Sequence, residues 1–289
     1  MCEALELRQH RAVESSLPLK LVDQLEAASH KKANLGVRSM LLRGFLSGAL
    51  LAYATAFAFK ASEGFTTGAA ALIAGAVFPV GFAMIVLLGL ELATGNFAVL
   101  PFGVARRRAT FRQTLRNWGW VYFGNLLGSV FVGFLLALSL TEAFTEPSGS
   151  LGAKLVAVAQ AKTLAYQHAG AYGWLTAFTK GVLCNWMVAI GTVLGVSSTS
   201  TSGRIAAVWL PVMTFFGLSL EHSVVNMFVI PTAMLLKADI GWSQWLLWNQ
   251  LPVTLGNIVG GALLTGMVLH YMHDAPGTSQ PAEDRVRAT

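Results

Sequence analysis

Long apolar stretches separated by short polar connections make up most of this 289-residue chain. A helix needs about 20 predominantly apolar residues to cross a bilayer, and six stretches approach or exceed that length. They are Arg38–Phe59, Gly68–Leu90 with an extension to Val104, Asn117–Leu140, Leu175–Val196, Ile205–Leu236 and Trp245–Tyr271. The pattern predicts an all-α integral membrane protein with six transmembrane helices.

Two polar segments interrupt this pattern. Glu91 and Asn96 lie in the second apolar stretch, and Glu221, His222 and Asn226 lie in the fifth. A charged side chain at the centre of a bilayer costs about 2.5–3.5 kcal/mol on insertion scales, so it marks a functional site by default. Interrupted backbone at that depth persists only where protein buries it or where it lines a water-filled cavity. We therefore expect the second and fifth helices to be broken beside a pore.

The two halves of the chain repeat their polar landmarks. Glu91 and Asn96 stand five residues apart, as do Glu221 and Asn226. The other repeated landmarks are Arg43 and Gly44 with Lys180 and Gly181, Pro79 with Pro211, Asn117 with Asn249, Asn125 with Asn257, and Gly124 and Gly128 with Gly256 and Gly260. Partners are 130 to 137 residues apart. Three spans per repeat is an odd number, so the sequence predicts an inverted 3+3 repeat with the substrate site at the membrane midplane.

Positive charge is concentrated where it sets topology. The formal net charge is +6, and its basic residues cluster in the N-terminal segment and in the connection from Arg106 to Arg116. Under the positive-inside rule both segments are cytoplasmic, which places both termini there and the connection from Thr141 to Tyr172 outside. Only 12% of the residues are charged, against about 25% in soluble domains. This distribution indicates a membrane protein, and no nucleic-acid partner is expected.

Three regions follow from these patterns. Residues 1–36 are expected to form a cytoplasmic N-terminal helix and tail, with Leu17, Leu21, Leu25 and Ala28 on one apolar face. Residues 37–273 form the six-span domain, and residues 274–289 a disordered cytoplasmic tail. The first apolar stretch is too long for a secretory signal and follows a polar segment. A multi-pass protein of the plasma (inner) membrane is therefore expected.

Several short motifs carry a resemblance to a known family. They are Glu91-Leu92-Ala93-Thr94-Gly95-Asn96, Arg116-Asn117-Trp118 with Tyr122-Phe123-Gly124-Asn125, Lys180-Gly181-Val182-Leu183-Cys184-Asn185-Trp186, Leu210-Pro211-Val212, Glu221-His222-Ser223-Val224-Val225-Asn226-Met227 with Ile230-Pro231, and Pro252-Val253-Thr254-Leu255-Gly256-Asn257. Through them the membrane part resembles the formate/nitrite transporter family. The resemblance implies an aquaporin-like protomer in the lipid bilayer, a homopentamer with one pore per subunit, and a small anion as substrate.

The resemblance also implies roles for single residues. His222 is similar to the family's central pore histidine, and Thr94 to the threonine that hydrogen-bonds it. Asn185 and Asn226 match polar residues near the vestibules and the centre, while Glu221 is expected to hold the broken backbone through hydrogen bonds. The residues that match the two apolar constrictions beside the histidine are Phe78, Phe82, Leu92 and Phe215.

Two positions depart from the family pattern. Lys162 looks like the family's outer lysine displaced by an insertion, and in that role it would raise the anion concentration at the outer mouth. The unshifted position is Ala169, beside His168, so either Lys162 or His168 replaces the family lysine. Ala93 stands where the family often has an aromatic residue, which alters the inner constriction.

The mechanism that these residues suggest is passage of the anion of a weak acid. Burying an unpaired charge is heavily penalised, so a monovalent anion cannot cheaply cross two apolar constrictions. The unperturbed pKa of a histidine is about 6.5, so its charge changes near physiological pH. The hypothesis is that His222 meets formate or nitrite as an imidazolium, or donates a proton to it, while Thr94 orients the ring. The protein would then be a proton-coupled channel or transporter.

Two alternatives stay open. A membrane-embedded enzyme would use Glu221 and His222, but metalloenzymes of this kind need several converging ligands, and the spans add only Glu91. An aquaporin-like channel for neutral solutes is disfavoured because the Asn-Pro-Ala pairs of such channels are missing from the sequence. The expected protein is no enzyme and needs no cofactor. The sequence leaves formate, nitrite, hydrosulfide and bicarbonate as candidate substrates.

Overall fold

The computed structural model describes residues 20–273, and its regular structure there is helical, in agreement with the predicted all-α class. The helices are α1 (20–33), α2 (Val37–Ala61), α3 (Thr67–Val77), α4 (Pro79–Leu87), α5 (Ala93–Ala105), α6 (Phe111–Leu140), α7 (Gly149–Lys162), α8 (Leu164–His168), α9 (Gly170–Ser197), α10 (Thr201–Gly217), α11 (Ser223–Leu235) and α12 (Trp242–Met272). Within α12, Leu246–Gln250 and Ala262–Met267 are π-helical. Leu17 and the predicted disordered tail lie outside the described residues.

Five helical segments of the described chain are long and apolar enough to cross a membrane: α2, α3 with α4, α6, α9 and α12. Two shorter apolar helices, α5 and α11, complete the second and fifth apolar stretches. The chain is non-helical at residues 88–92 and 218–222, where the sequence predicted the two polar breaks. A further division, between α3 and α4, was not predicted. It falls at Pro79, which lacks a backbone N–H and is tolerated best in the first turn of a helix.

Glycines bring two pairs of long helices into backbone contact. A Cβ at Gly128 of α6 would overlap the carbonyl oxygen of Phe45 in α2. A Cβ at Gly260 of α12 would overlap the carbonyl oxygen of Val182 in α9. Small residues allow this close approach where hydrophobic burial does not drive helices together. The repeated glycines therefore form two equivalent packing seams, α2 on α6 and α9 on α12.

The segments outside the long helices are also ordered. Helix α1 packs its apolar face, with Leu25 at 1% exposure, against Val99 and Phe102 of α5. Glu26 of α1 pairs with Arg106 and Arg108 at distances of 3.0 and 2.6 Å. On the other side, α7 and α8 fill the connection from Thr141 to Tyr172, in which the sequence predicted no helices. Both segments carry residues to the polar breaks.

Candidate functional site

The buried carboxylate of Glu221 accepts hydrogen bonds from four helices, the longest of them from Asn249 Nδ2 of α12 to Oε2 at 3.4 Å. Its Oε2 accepts from Lys162 Nζ at 2.7 Å and from Asn226 Nδ2 at 2.8 Å, and its Oε1 accepts from the Tyr166 hydroxyl at 2.8 Å. Glu221 is 1% exposed, and charged donors of this kind offset the large cost of burying a carboxylate. The contacts tie the second break to α7, α8, α11 and α12.

Tyr166 is suited to remain the donor in this contact. Burial, and next to it the negative charge of Glu221, raise the pKa of Tyr166 well above its ordinary value. The phenol therefore keeps its proton and donates a hydrogen bond to the carboxylate in the second break. Sequence analysis did not single out Tyr166, because nothing in its local pattern connects α8 with a residue 55 positions away.

Glu91 in the first break makes the matching contacts. Its Oε1 accepts from Lys32 Nζ at 2.9 Å, and its Oε2 accepts from Asn96 Nδ2 at 2.7 Å. Sequence analysis treated Lys32 only as part of the cytoplasmic charge. Lys32 and Lys162 are 130 residues apart, the same offset that relates Glu91 to Glu221. That offset was the signal that could have identified Lys32 as an ion-pair partner.

Asparagines brace the backbone of both breaks in the same way. Asn125 donates to the carbonyls of Gly44 and Glu91 at 2.9 and 3.0 Å and accepts from the Ala93 N–H at 2.9 Å. In the second half Asn257 makes the same three contacts, each at 2.9 Å, with Gly181 O, Glu221 O and Ser223 N. A further matched pair is Asn117, which joins Asn96 to the Lys32 carbonyl, and Asn249, which joins Asn226 to the Lys162 carbonyl. Peptide groups freed by each break therefore have side-chain partners, as burial requires.

His222 is the N-cap residue of α11 and is 2% exposed. Its Nδ1 accepts from the Val225 N–H at 3.2 Å, and its Nε2 lies 3.0 Å from Thr94 Oγ1. A backbone N–H can only donate, so Nδ1 carries no proton in this geometry and the neutral ring carries its proton on Nε2. The ring of Phe215 stacks on the imidazole at 5.6 Å. The structure thus contains the Thr94–His222 contact that the resemblance implies, with Nε2 as its donor.

The positive ends of two half-helices meet at this contact. Thr94 lies in the first turn of α5, and His222 caps α11, so both helices begin at the site. The N-terminus of a helix carries about half a positive charge and presents unpaired N–H groups. The centre of the molecule is therefore favourable for an anion without requiring a formal cation.

Five of the predicted site residues line one of two cavities. The His222 cavity includes His222, Phe215 and Lys162 in its lining. The Glu91 cavity includes Phe82 and Leu92. In the described part of the chain these cavities share no lining residue. Of these apolar side chains, Phe215 lines the same cavity as His222 and stacks on its ring, whereas Phe82 and Leu92 line the other cavity.

Three of the other predicted residues, Phe78, Asn185 and Asn226, line neither of the two cavities. Phe78 is fully buried and contacts the rings of Phe215 and Phe216 at 5.6 and 4.0 Å. Asn185 is fully buried and donates to the Thr94 carbonyl at 3.1 Å. Asn226 is bound in the Glu221 network described above. Phe78 thus packs against two residues that line the His222 cavity, whereas Asn185 and Asn226 hold the backbone and side chains of the two breaks.

The contacts of Glu221 and His222 do not join the two side chains. Glu221 is held by Lys162, Asn226 and Tyr166, while His222 is held by Thr94 and Val225. Within residues 20–273, no three His, Cys, Asp or Glu side chains are grouped to hold a metal ion.

Comparison with known proteins places these observations in a family context. The sequence model of one family, described as formate/nitrite transporter, matches residues 19–271. The chain is 37% identical over 257 residues to a probable formate transporter of Methanothermobacter thermautotrophicus, covering 84% of this chain and 91% of that protein. It is 31% identical over 276 residues to the formate channel FocA of Haemophilus influenzae, covering 88% and 94% respectively.

Solved structures give the same result at the level of the fold. A structure described as an FNT family ion channel superposes with a TM-score of 0.75 at 25% identity, covering 89% of this chain and 99% of that one. A pentameric formate channel with formate bound superposes with a TM-score of 0.68 at 26% identity, covering 82% and 97%.

Proposed function

The chain belongs to the formate/nitrite transporter family, and from this premise we propose that it passes small monovalent anions of weak acids, formate or nitrite, across a membrane with proton coupling. The observation that carries the proposal is the environment of His222. This buried imidazole lies where two helix N-termini meet, and the apolar ring of Phe215, which lines the same cavity, stacks on it. The helix N-termini of such a site attract an anion, and its apolar side chains make the passage of an unneutralised charge costly.

The proposed architecture is a six-span, aquaporin-like protomer with an inverted 3+3 repeat, formed by residues 37–273. The second span consists of α3, α4 and α5, and the fifth of α10 and α11. The main support is the matched pair of networks, in which Lys32, Glu91 and Asn96 have the same contacts as Lys162, Glu221 and Asn226. A substrate site between two such halves is typical of inverted-repeat transporters.

The proposed assembly is a homopentamer in the plasma membrane, with both termini in the cytoplasm. The pentameric formate channel that superposes on the chain supports the assembly. Large apolar side chains stay exposed on the protomer surface, among them Phe57, Phe131 and Leu247, and surfaces of this kind face lipid or other subunits. The Arg106–Arg116 connection supports the orientation.

In the proposed mechanism the substrate crosses the apolar part of the path as its neutral acid. The anion is drawn to the centre by the two helix ends and meets the Nε2–H of His222. When His222 is an imidazolium, it gives one proton to the carboxylate of formate, which leaves formic acid and a neutral ring. A protonated Nδ1 can no longer accept the hydrogen bond from the Val225 N–H. Charging the ring therefore also weakens the first turn of α11. Phe78, Phe82, Leu92 and Phe215 supply the apolar surroundings.

Uptake into liposomes tests this function directly. Purified wild-type protein, His222→Phe and the control His30→Phe, at an exposed position of α1, are compared for formate and nitrite uptake over a pH series. We expect the wild type and His30→Phe to show faster uptake as the pH outside falls, because a proton enters with each anion. His222→Phe should lose at least about tenfold in rate together with its pH response, as expected for loss of a proton-transfer group.

Two results would contradict the proposal. An unchanged rate and pH profile in His222→Phe would remove the histidine from the mechanism. Equally fast passage of glycerol or urea by the wild type would indicate a channel for neutral solutes instead.

A further inference from the structure

We propose that Lys154 forms an anion-binding subsite in the His222 cavity, which collects small oxyanions before they reach the histidine. The inference rests on the proposed function and adds a residue that neither the resemblance nor the repeat identifies. It also gives a role to α7, the helix that fills the long connection. The ligand class is a small monovalent oxyanion, such as a short carboxylate or nitrite.

Helix α7 presents two lysines to the same cavity. Lys154, Val158 and Lys162 all line the His222 cavity, and they are spaced four residues apart. Residues at this spacing lie along one face of a helix. At 1.5 Å of rise per residue, the two lysines are about 12 Å apart along the helix axis. Lys162 is next to the break, and Lys154 is next to the end of α2.

The two lysines differ in how their charge is balanced. Lys162 is paired with the Glu221 carboxylate at 2.7 Å. Lys154 donates to two neutral acceptors, Ser62 Oγ at 2.9 Å and the Phe59 carbonyl at 3.3 Å. In residues 20–273, no carboxylate lies within ion-pairing distance of Lys154. Of the two lysines in the cavity, Lys154 is therefore the one whose positive charge remains for an incoming anion.

The Lys154 ammonium also has a donor to spare. An ammonium group carries three N–H donors. Ser62 Oγ and the Phe59 carbonyl accept two of those of Lys154, which leaves one N–H group available. The Nζ lies 5.5 Å from the centroid of the Phe59 ring, so one side of the group is against an aromatic face. The hydroxyl groups of Thr67 and Ser219 line the same cavity. A small oxyanion therefore has a cation and two hydroxyl-bearing residues available in one opening.

One carboxylate lies close enough for its titration to respond to Lys154. A hydrogen bond from Lys60 is the main cause of a lowered pKa at Glu63, with smaller contributions from Ser150 and from the charge of Lys154. Glu63 itself is paired with Lys60 at 2.6 Å. The negative charge of Glu63 is therefore balanced mainly by Lys60. Most of the electrostatic attraction of Lys154 is then available to an anion in the cavity.

A structural role for Lys154 makes a different prediction. The Phe59 carbonyl belongs to the last turn of α2, and a lysine that bonds such carbonyls stabilises the helix end. That role requires the hydrogen bonds but makes no use of the cavity. A role in anion capture acts through charge, so it changes the apparent affinity for substrate and the dependence on ionic strength. The two roles are therefore separable.

Formate uptake by right-side-out vesicles separates them. Initial rates are measured against formate concentration at low and high ionic strength for the wild type, Lys154→Gln and Lys154→Arg. Lys237→Gln serves as the matched control, because Lys237 lies beside the Thr141–Ser148 connection and lines a different cavity. We expect Lys154→Gln to raise KM about three- to tenfold at low ionic strength, to flatten its salt dependence, and to leave the maximal rate within about twofold. Lys154→Arg and Lys237→Gln should match the wild type within about twofold.

Two further measurements keep the test decisive if Lys154→Gln is poorly folded. The KM of the wild type must rise with ionic strength, and a salt-independent KM overturns the subsite without any variant. Ser62→Ala removes a hydrogen-bond acceptor and keeps the charge, so it should leave KM within about twofold. A KM increase in Ser62→Ala with unchanged salt dependence would assign Lys154 a structural role. Failure of the wild type to transport formate or nitrite at all would instead reject the proposed function.

Discussion

At His222, the hydrogen bond from the Val225 N–H fixes how the ring meets its surroundings. It occupies Nδ1, so the remaining proton of the neutral ring lies on Nε2, against Thr94 Oγ1. The Thr94 oxygen then accepts from the ring, and its own hydroxyl proton remains for a substrate. Thr94 is fully buried. Once an anion replaces the Thr94 oxygen as acceptor of the Nε2–H, the ring and the hydroxyl group can both donate to it.

Substitutions of Thr94 test this arrangement. Thr94→Val keeps the shape of the side chain and removes the hydroxyl, whereas Thr94→Ser keeps the hydroxyl. We expect Thr94→Val to lower the formate uptake rate about tenfold, which corresponds to about 1.4 kcal/mol and lies within the cost of a lost buried hydrogen bond. Thr94→Ser should stay within about threefold of the wild type. Equal rates for the two variants would show that the methyl group, and not the hydroxyl, matters.

Lys162 shows how a tertiary contact changes the role that is inferred for a residue. The resemblance implied that Lys162 attracts anions at the outer mouth. In the structure it is paired with Glu221, so its charge is shared with a buried carboxylate and its field at a distance is reduced. Its contact stabilises the second break, as that of Lys32 stabilises the first.

At the scale of helices, close packing at the glycine seams fixes the positions of the long helices, and these helices in turn position the two breaks. Gly44 and Gly48 of α2 face Gly124 and Gly128 of α6 with backbone atoms in contact. The same seam carries Asn125, whose side chain braces the first break. Separating α2 from α6 would therefore move the asparagine as well as the helices, so packing and site geometry are coupled.

Alanine substitutions on α6 test the seam. A methyl group at Gly128 would overlap the Phe45 carbonyl oxygen, while a methyl group at Gly119 meets no atom within 4 Å. We expect Gly128→Ala to destabilise the protein by about 1–3 kcal/mol, as overpacking does, and to slow formate uptake. Gly119→Ala should be neutral or stabilising, because alanine favours a helix over glycine by up to about 1 kcal/mol. The thermal unfolding temperature in detergent distinguishes the two variants. A wild-type unfolding temperature for Gly128→Ala would mean that α2 and α6 separate without cost.

For the whole molecule, the similarity of the two halves extends beyond the spans. Helix α1 precedes α2 and delivers Lys32 to Glu91, and α7 precedes α9 and delivers Lys162 to Glu221. The correspondence is incomplete, because α8 adds the Tyr166 contact to the second half. The extra hydrogen bond from Tyr166 distinguishes the Glu221 network from the Glu91 network. The two halves are therefore not equivalent around their buried carboxylates.

The assembly predicts a specific mass. Native mass spectrometry of the detergent-purified protein should give a complex of five copies of the 30.8-kDa chain, because the exposed apolar surface of one protomer needs partners as well as lipid. The detergent-matched Gly119→Ala variant should form the same complex. A stable monomer with full formate uptake would contradict the pentamer and leave the pore within one subunit intact.

The sequence by itself determined the helical class, the apolar stretches, the two breaks and the repeat. Membrane spans are set by length and local polarity, and a buried charge is conspicuous in an apolar stretch, so these features can be recognised without knowing any contact. The family motifs further located His222 and Thr94. The tertiary structure alone decided which lysine balances Glu221, which nitrogen of His222 carries the proton, and which predicted residues line a cavity. The Lys162–Glu221 and Thr94–His222 contacts join side chains 59 and 128 residues apart, and the tautomer of His222 depends on the cap geometry at the start of α11, so these properties are fixed only when the chain folds.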